Sequence, residues 1–189
     1  MKRFLFIIVC CLLFPVSSLA QTPETFDIAT FQPPKSWQKQ ATQRAIQFSS
    51  EDKARGTYCQ ITLFKSLPGT SNSRENFDAA WQTVVKGMVN VSGTPQMQTP
   101  SNEDGWEALS GFAAFDNNGS KGIALLVTIT GFGRMENILV LTNTDAYQKN
   151  ISDFLESARL KAPVDEIASV PLVTFTTAPL PKVTVSART

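Results

Sequence analysis

WEALSGFAAFDNNGSKGIALLVTITGFGRMENILVLT, residues 106–142, is the stretch that decides the fold of this 189-residue chain. It contains three apolar segments separated by two short breaks. The breaks read NNG at 117–119 and GFG at 131–133, and both sequences suit the tight turns of antiparallel hairpins. The stretch therefore predicts a three-stranded antiparallel meander, with strands at residues 106–115, 122–130 and 136–142.

The middle strand of this meander is apolar on both sides. Side chains alternate between the two faces of a strand, so four apolar residues share one face while Ala124 and Leu126 share the other. A strand that is apolar on both faces is typical of a central strand covered on both sides. The four residues on the first face are Ile123, Leu125, Val127 and Ile129.

Two segments have the spacing of amphipathic helices. Asn72, followed by Glu75 three residues later, resembles a capping box and predicts a helix start. Thr144 or Asp145 can cap a second helix. Each helix carries one apolar stripe that needs a sheet to pack against. The stripes consist of Phe77, Ala80, Trp81, Val84, Val85 and Met88, and of Tyr147, Ile151, Phe154, Leu155 and Ala158.

Further strands precede the first helix. Residues 26–31 alternate and stop at Pro33, which predicts an edge strand. Short strands follow at 37–41 and 44–49, and residues 57–66 form the clearest half-buried strand. The predicted fold class is therefore α+β, an antiparallel β-sheet covered by two main helices.

The first twenty residues have the features of a secretory signal peptide. Lys2 and Arg3 precede an uncharged apolar run, and Ser18 and Ala20 place small residues before a cleavage site after Ala20. The run is too short to span a bilayer, and no longer one follows, so we expect no integral membrane span after cleavage. We predict a secreted or periplasmic protein with a signal peptide at 1–20, a single α+β domain at 21–162, and a flexible tail rich in Pro, Thr and Val at 163–189.

The composition excludes several functional classes. With 17 Lys and Arg against 16 Asp and Glu, the net charge of +1 gives no electrostatic footprint for nucleic acid. The absence of His removes Ser-His-Asp and Cys-His nucleophiles and every His-containing metal site.

Cleavage after Ala20 leaves Cys59 as the only cysteine, so we expect no internal disulfide. We expect Cys59 to be buried and inert, because it shares a strand face with Ile61 and Leu63.

The chain also resembles a known family over residues 26–160. The residues that carry the resemblance are Phe31 with Pro34 and Trp37, the strand at 58–64, the helix sequence FDAAW at 77–81, and the closing segment 151–160. Their order is similar to that of the Mog1/PsbP-like α/β/α sandwich family. The resemblance implies a compact accessory or adaptor-like domain, often extracytoplasmic in bacteria and commonly without known catalysis.

Trp37 and Trp106 are the candidate ligand-binding residues. Both lie near the ends of predicted elements, where an aromatic side chain can face a ligand, whereas Trp81 belongs to the stripe of the first helix and is expected in the core. Asp116 opens a sequence that resembles a calcium loop, but Val127 stands where the closing Glu is required, which favours a hairpin turn.

We predict an accessory or binding module for a protein or small-ligand partner, with no cofactor, no metal and no evident catalysis. One alternative is a carboxylate- or metal-dependent hydrolase that uses the acidic pair Glu51 and Asp52 or the pair Glu103 and Asp104. Another alternative is a structural component of the cell envelope.

Overall fold

The computed structural model describes residues 22–162. The predicted signal peptide at 1–20 and the predicted tail at 163–189 lie outside the described residues. Within them the protein is mostly β, with 49% of the residues in strands and 18% in helices. The prediction of an α+β fold with a sheet covered by two main helices, as in an α/β/α sandwich, is therefore wrong.

A nine-stranded sheet dominates the described residues. Its strands are β3 (Gln38–Ala41), β4 (Ala45–Asp52), β5 (Thr57–Phe64), β6 (Leu67–Pro68), β7 (Gln96–Met97), β8 (Ser101–Glu103), β9 (Trp106–Asn117), β10 (Ser120–Gly131) and β11 (Arg134–Thr142). The central path of the sheet runs β3, β4, β5, β11, β10, β9 and β7, with β6 paired to β11 and β8 paired to β9. All of these pairs are antiparallel.

The predicted meander is present as β9, β10 and β11. The turn between β9 and β10 has Asn118 at φ 53° and Gly119 at φ 90°. Two successive positive φ values suit a two-residue hairpin turn, which Asn and Gly adopt at the least steric cost. The calcium-like sequence that begins at Asp116 is therefore a hairpin turn, as the sequence indicates.

A second, three-stranded sheet lies outside the main one. It consists of β1 (Glu24–Phe26), β2 (Ala29–Phe31) and β12 (Arg159–Leu160), in which β2 pairs with both neighbours. The predicted single edge strand at 26–31 is wrong, because Asp27 adopts φ 52° and reverses the chain between β1 and β2. Alternation alone does not reveal such a turn, since Asp is one of the few non-glycine residues that tolerate this conformation.

The first helical segment covers one face of the main sheet. It contains α1 (Ser73–Ala80), a π-helical turn at Trp81–Val85 and α2 (Lys86–Met88). The side chain of Asn72 caps α1 by accepting hydrogen bonds from the backbone N–H groups of Arg74 and Glu75, as predicted. Most of the predicted apolar stripe packs on β9, β10 and β11, and Trp81 is buried in this core at 2% exposure. Met88, the last residue of the predicted stripe, is exposed instead.

The opposite face of the main sheet is covered by different elements. Phe31 of β2 and Phe154 of α3 (Gln148–Ser157) pack over β4, β5 and β11. The prediction that Thr144 or Asp145 caps the second helix is wrong, because α3 begins at Gln148 and no side chain of residues 22–162 caps its first turn. Its ten residues extend only about 15 Å, whereas the twelve residues of β10 extend about 40 Å. The short α3 is one reason why the expected two-helix cover is incomplete.

Candidate functional site

A groove runs between α3 and the strands β9 and β10, and we call it the α3–β10 groove. It consists of two adjoining depressions of about 650 Å³ and about 580 Å³. Gln98, Leu125 and Leu155 line both depressions, so the two form one continuous surface feature. Each depression has a volume in the range of small-ligand sites.

The floor of the groove is the incompletely covered face of β10. Leu125, Val127 and Ile129 are half-buried, and Ile123 is 40% exposed. On the other face of the same strand, Ala124 and Leu126 are fully buried under the first helical segment. The prediction that β10 is covered on both faces is therefore correct for only one of them.

Apolar side chains also form the two walls. Ile151, Leu155 and Ala158 line the groove from the α3 side, and Leu160 of β12 continues that wall. Trp106, Ala108 and Phe112 line it from β9, together with Ser110, whose hydroxyl donates to Oε1 of Gln98 over 2.7 Å. The groove thus offers aliphatic and aromatic contacts along its length.

Charged groups are confined to the rim, and most of them are acidic. Glu103, Asp104 and Glu156 are exposed there together with Arg159. The guanidinium Nε of Arg159 lies 3.9 Å from Oε1 of Glu103, so this ion pair spans the mouth from β12 to β8. The pair neutralises one acid, and Asp104 and Glu156 leave this end of the rim with a net negative charge.

The structure separates the two candidate tryptophans. Trp106 is 6% exposed, lines the groove and stacks edge-to-face on Phe132 with 5.2 Å between ring centroids. Its Nε1 atom is buried without a hydrogen-bond partner among residues 22–162. Trp37 instead packs edge-to-face on Tyr147 at 5.5 Å and is not among the residues that line the groove.

A polar cluster lies where the hairpin of β1 and β2 meets β11. The backbone N–H of Ser66 donates to Oδ2 of Asp27 over 3.0 Å, and the Ser66 hydroxyl donates to the same oxygen. Nη2 of Arg134 donates to Oγ of Ser66 over 2.5 Å and lies 4.0 Å from Asp27 Oδ2. Burial raises the pKa of Asp27, but the Ser66 hydrogen bonds and the charges of Arg134 and Lys65 outweigh it, so the net shift is downward.

Glu136 is the most unusual residue of this region. It is fully buried, and neither carboxyl oxygen has a hydrogen-bond partner in the described part of the chain. Burial, reinforced by the charge of Asp27, raises its pKa to about 8 although Arg134 acts in the opposite direction. We did not predict this from the sequence, yet Glu136 alternates in phase with Ile138 and Val140, which signals the buried face.

Cys59 is buried at 1% exposure, as predicted, and burial raises the pKa of its thiol to about 12 despite a hydrogen bond with Thr142. The acidic pair Glu51 and Asp52 lies at the end of β4, and the pair Glu103 and Asp104 lies at the groove rim. Residues 22–162 contain no group of three or more acidic or Cys side chains placed to hold a metal ion.

Comparison with known proteins adds no assignment. No protein-family model matches the chain, and no curated protein matches it. The resemblance to the Mog1/PsbP family therefore stays a prediction. Among the described residues, no helix has the length and apolar character needed to cross a membrane.

Proposed function

We propose that the protein is a secreted or periplasmic binding module whose α3–β10 groove holds an elongated apolar ligand. The observation that carries this proposal is the row of Leu125, Val127 and Ile129, which are only half-buried although they lie on a central strand. Removing apolar surface from water is favourable by roughly 25 cal/mol per Å² of buried area. A ligand that covers the row makes this gain available for binding.

The shape of the groove supports a binding role. Its walls come from α3 and from long paired strands, which are rigid elements suited to a pre-formed site. Its charged groups lie at the rim, where they keep contact with water, and the polar side chains of Ser110 and Gln98 in the β9 wall are hydrogen-bonded to each other. A large apolar surface with a polar rim is typical of interaction sites.

The uncharged dye Nile red tests this proposal, with the chain expressed from Gln21. We expect saturable binding with one dye per chain, and we expect Ala108→Phe to weaken it at least about tenfold by filling the groove. Ala79→Phe is the matched control, because Ala79 is exposed on α1, which covers the opposite face of the sheet, and lines neither depression. Equal binding by wild type and Ala108→Phe would refute the groove as the site.

A carboxylate-dependent hydrolase is the second candidate, and one observation favours it. The pKa of Glu136 is raised while that of its neighbour Asp27 is lowered, a split that is typical of acid and base pairs in enzymes, although Glu136 is fully buried and lines neither depression of the groove. A screen of ester, phosphoester and glycoside substrates tests this alternative. Any genuine activity should be lost in Glu136→Gln and kept in Glu51→Gln, and activity that survives in Glu136→Gln excludes a role for this pair.

A further inference from the structure

We infer that the ligand of the α3–β10 groove is a single-chain amphiphile whose headgroup carries no net negative charge. This inference rests on the proposed binding function and names the ligand class. It follows from three features of the groove: the hydrogen-bond state of its floor, the charge of its rim and its length.

The floor favours a hydrocarbon chain over a peptide. The backbone of β10 is already paired with β9 on one side and β11 on the other, so the floor offers no free strand edge to a peptide. A peptide backbone buried against Leu125, Val127 and Ile129 would leave N–H and C=O groups unpaired, at a cost of several kcal/mol in an apolar setting. An alkyl chain has no N–H or C=O groups, so its burial on this floor leaves no hydrogen bond unmade.

The rim charge selects among headgroups. Arg159 pairs with Glu103 and donates from Nη1 to the carbonyl oxygens of Glu156 and Ala158. The carboxylates of Asp104 and Glu156 remain at the same end of the rim, and Asp145 lies at the other end. Charges within a few ångströms of one another repel or attract even in water, and salt screens the effect. An anionic headgroup is therefore disfavoured, whereas neutral, zwitterionic and cationic headgroups are accepted.

The dimensions fit one extended chain. From Ile123 to Ile129 the floor extends about 20 Å, at roughly 3.3 Å per residue. The side chains at these positions form one unbroken apolar row on a single face of β10. A long alkyl chain laid along this row contacts every one of them.

Titration calorimetry below the critical micelle concentration tests the inference with alkyl probes. Dodecyl maltoside and dodecylphosphocholine should bind, and octyl maltoside, which is four methylenes shorter, should bind more weakly by about fourfold per methylene, roughly 250-fold in all. The anionic probe dodecanoate should bind roughly tenfold more weakly than dodecylphosphocholine at low salt, and added salt should narrow that difference. Ala108→Phe should abolish these signals, and Ala79→Phe, on the opposite side of the sheet, should keep them.

Several outcomes would overturn the ligand class. Dodecanoate binding as tightly as the neutral probes would refute the charge argument, and affinity independent of chain length would refute the alkyl argument. Nile red binding that remains sensitive to Ala108→Phe in either case would leave the proposed function standing. If the wild-type protein also fails to bind Nile red, both the ligand class and the proposed function are refuted.

Other occupants of the groove are detectable in the same protein. A photo-crosslinking amino acid at Gln98, which is exposed and lines both depressions, reports what lies in the groove. Met88, exposed on α2, is the control position. Adducts at position 98 to residues 163–189, or to a second copy of the chain, would show another occupant and overturn the inference. An adduct with a photoreactive dodecyl probe, competed by dodecyl maltoside, would support it.

Discussion

The indole ring of Trp106 lies against the backbone of Gly131, where an added Cβ atom would come within 2.7 Å of the ring carbon Cε3. The same Cβ would lie 2.7 Å from the carbonyl oxygen of Gly105. Glycine at 131 thus allows Trp106 to form one end of the groove wall. A side chain at this position has to displace either an aromatic ring or a turn.

We predict that Gly131→Ala lowers the free energy of unfolding by about 1–3 kcal/mol, since overpacking a filled site forces side chains or backbone to shift. The measurement is urea denaturation. Gly87→Ala is the control, because an added Cβ there has no described atom within 4 Å and alanine favours helix, so we expect a gain of up to about 1 kcal/mol. Equal effects of the two substitutions would contradict the close contact at Trp106.

Asn76 attaches the first helical segment to the sheet. Its Nδ2 donates to the carbonyl oxygen of Thr70 over 2.9 Å and to Oγ1 of Thr130 over 3.1 Å. Its Oδ1 accepts from the backbone N–H of Thr70 over 3.0 Å, and the residue is only 4% exposed. One side chain therefore satisfies polar groups of both the loop before α1 and strand β10.

We predict that Asn76→Asp destabilises the protein by about 1–3 kcal/mol for each group left unsatisfied, since the carboxylate keeps the acceptor but loses both donated bonds. Asn102→Asp, on the exposed strand β8, makes the same chemical change at the surface and should shift stability by less than about 0.5 kcal/mol. Thermal unfolding of both variants provides the comparison. If Asn76→Asp unfolds at the same temperature as the wild-type protein, the hydrogen bonds of Asn76 do not contribute to stability.

Local patterns predicted those elements whose causes are local. The meander follows from alternation and from the sequence NNG, and the start of α1 follows from Asn72. The hairpin of β1 and β2 was missed, because the positive φ of Asp27 is held by Ser66, which lies far along the chain. A turn that depends on a distant partner has no signature in its own segment.

The groove could be predicted only in part. Alternation correctly places Leu125, Val127 and Ile129 on one face of β10, but the coverage of that face depends on how far α3 reaches. The same limit applies to Glu136, whose face is readable from Ile138 and Val140 but whose burial depends on elements contributed by distant segments. Sequence therefore indicates which residues share a face, and the tertiary packing decides what covers it.

Cys59 provides a test of core integrity. With its pKa raised to about 12 and its side chain buried, the thiol is almost entirely protonated at neutral pH and inaccessible. We predict that a disulfide reagent modifies native protein from Gln21 onward at pH 8 only as fast as the protein opens, and reacts rapidly in urea. Fast labelling without denaturant would contradict the packing of β5. Cys59→Ala is the control for background signal.

Glu136 makes stability depend on pH in a direction opposite to that of paired carboxylates. Its pKa is about 8 in the folded protein against an ordinary value of 4.5, so between these values the folded chain holds a proton that the unfolded chain has released. Its contribution to stability is fully present below about pH 4.5 and is lost as pH rises through about 8, with a slope of up to about 1.4 kcal/mol per pH unit.

We therefore expect the free energy of unfolding of the wild-type protein to fall between pH 5.5 and 7.5, measured by urea denaturation, a window chosen from the two pKa values of Glu136. The pKa of Asp27 is lowered from its ordinary value of 3.8, so the titration of Asp27 changes stability only at more acidic pH and hardly contributes in this window. Glu136→Gln carries no titrating proton and should flatten the profile, while Glu51→Gln should leave it unchanged. A wild-type profile that rises across this range, or one that Glu136→Gln does not alter, would show that Glu136 is ionised in the folded protein.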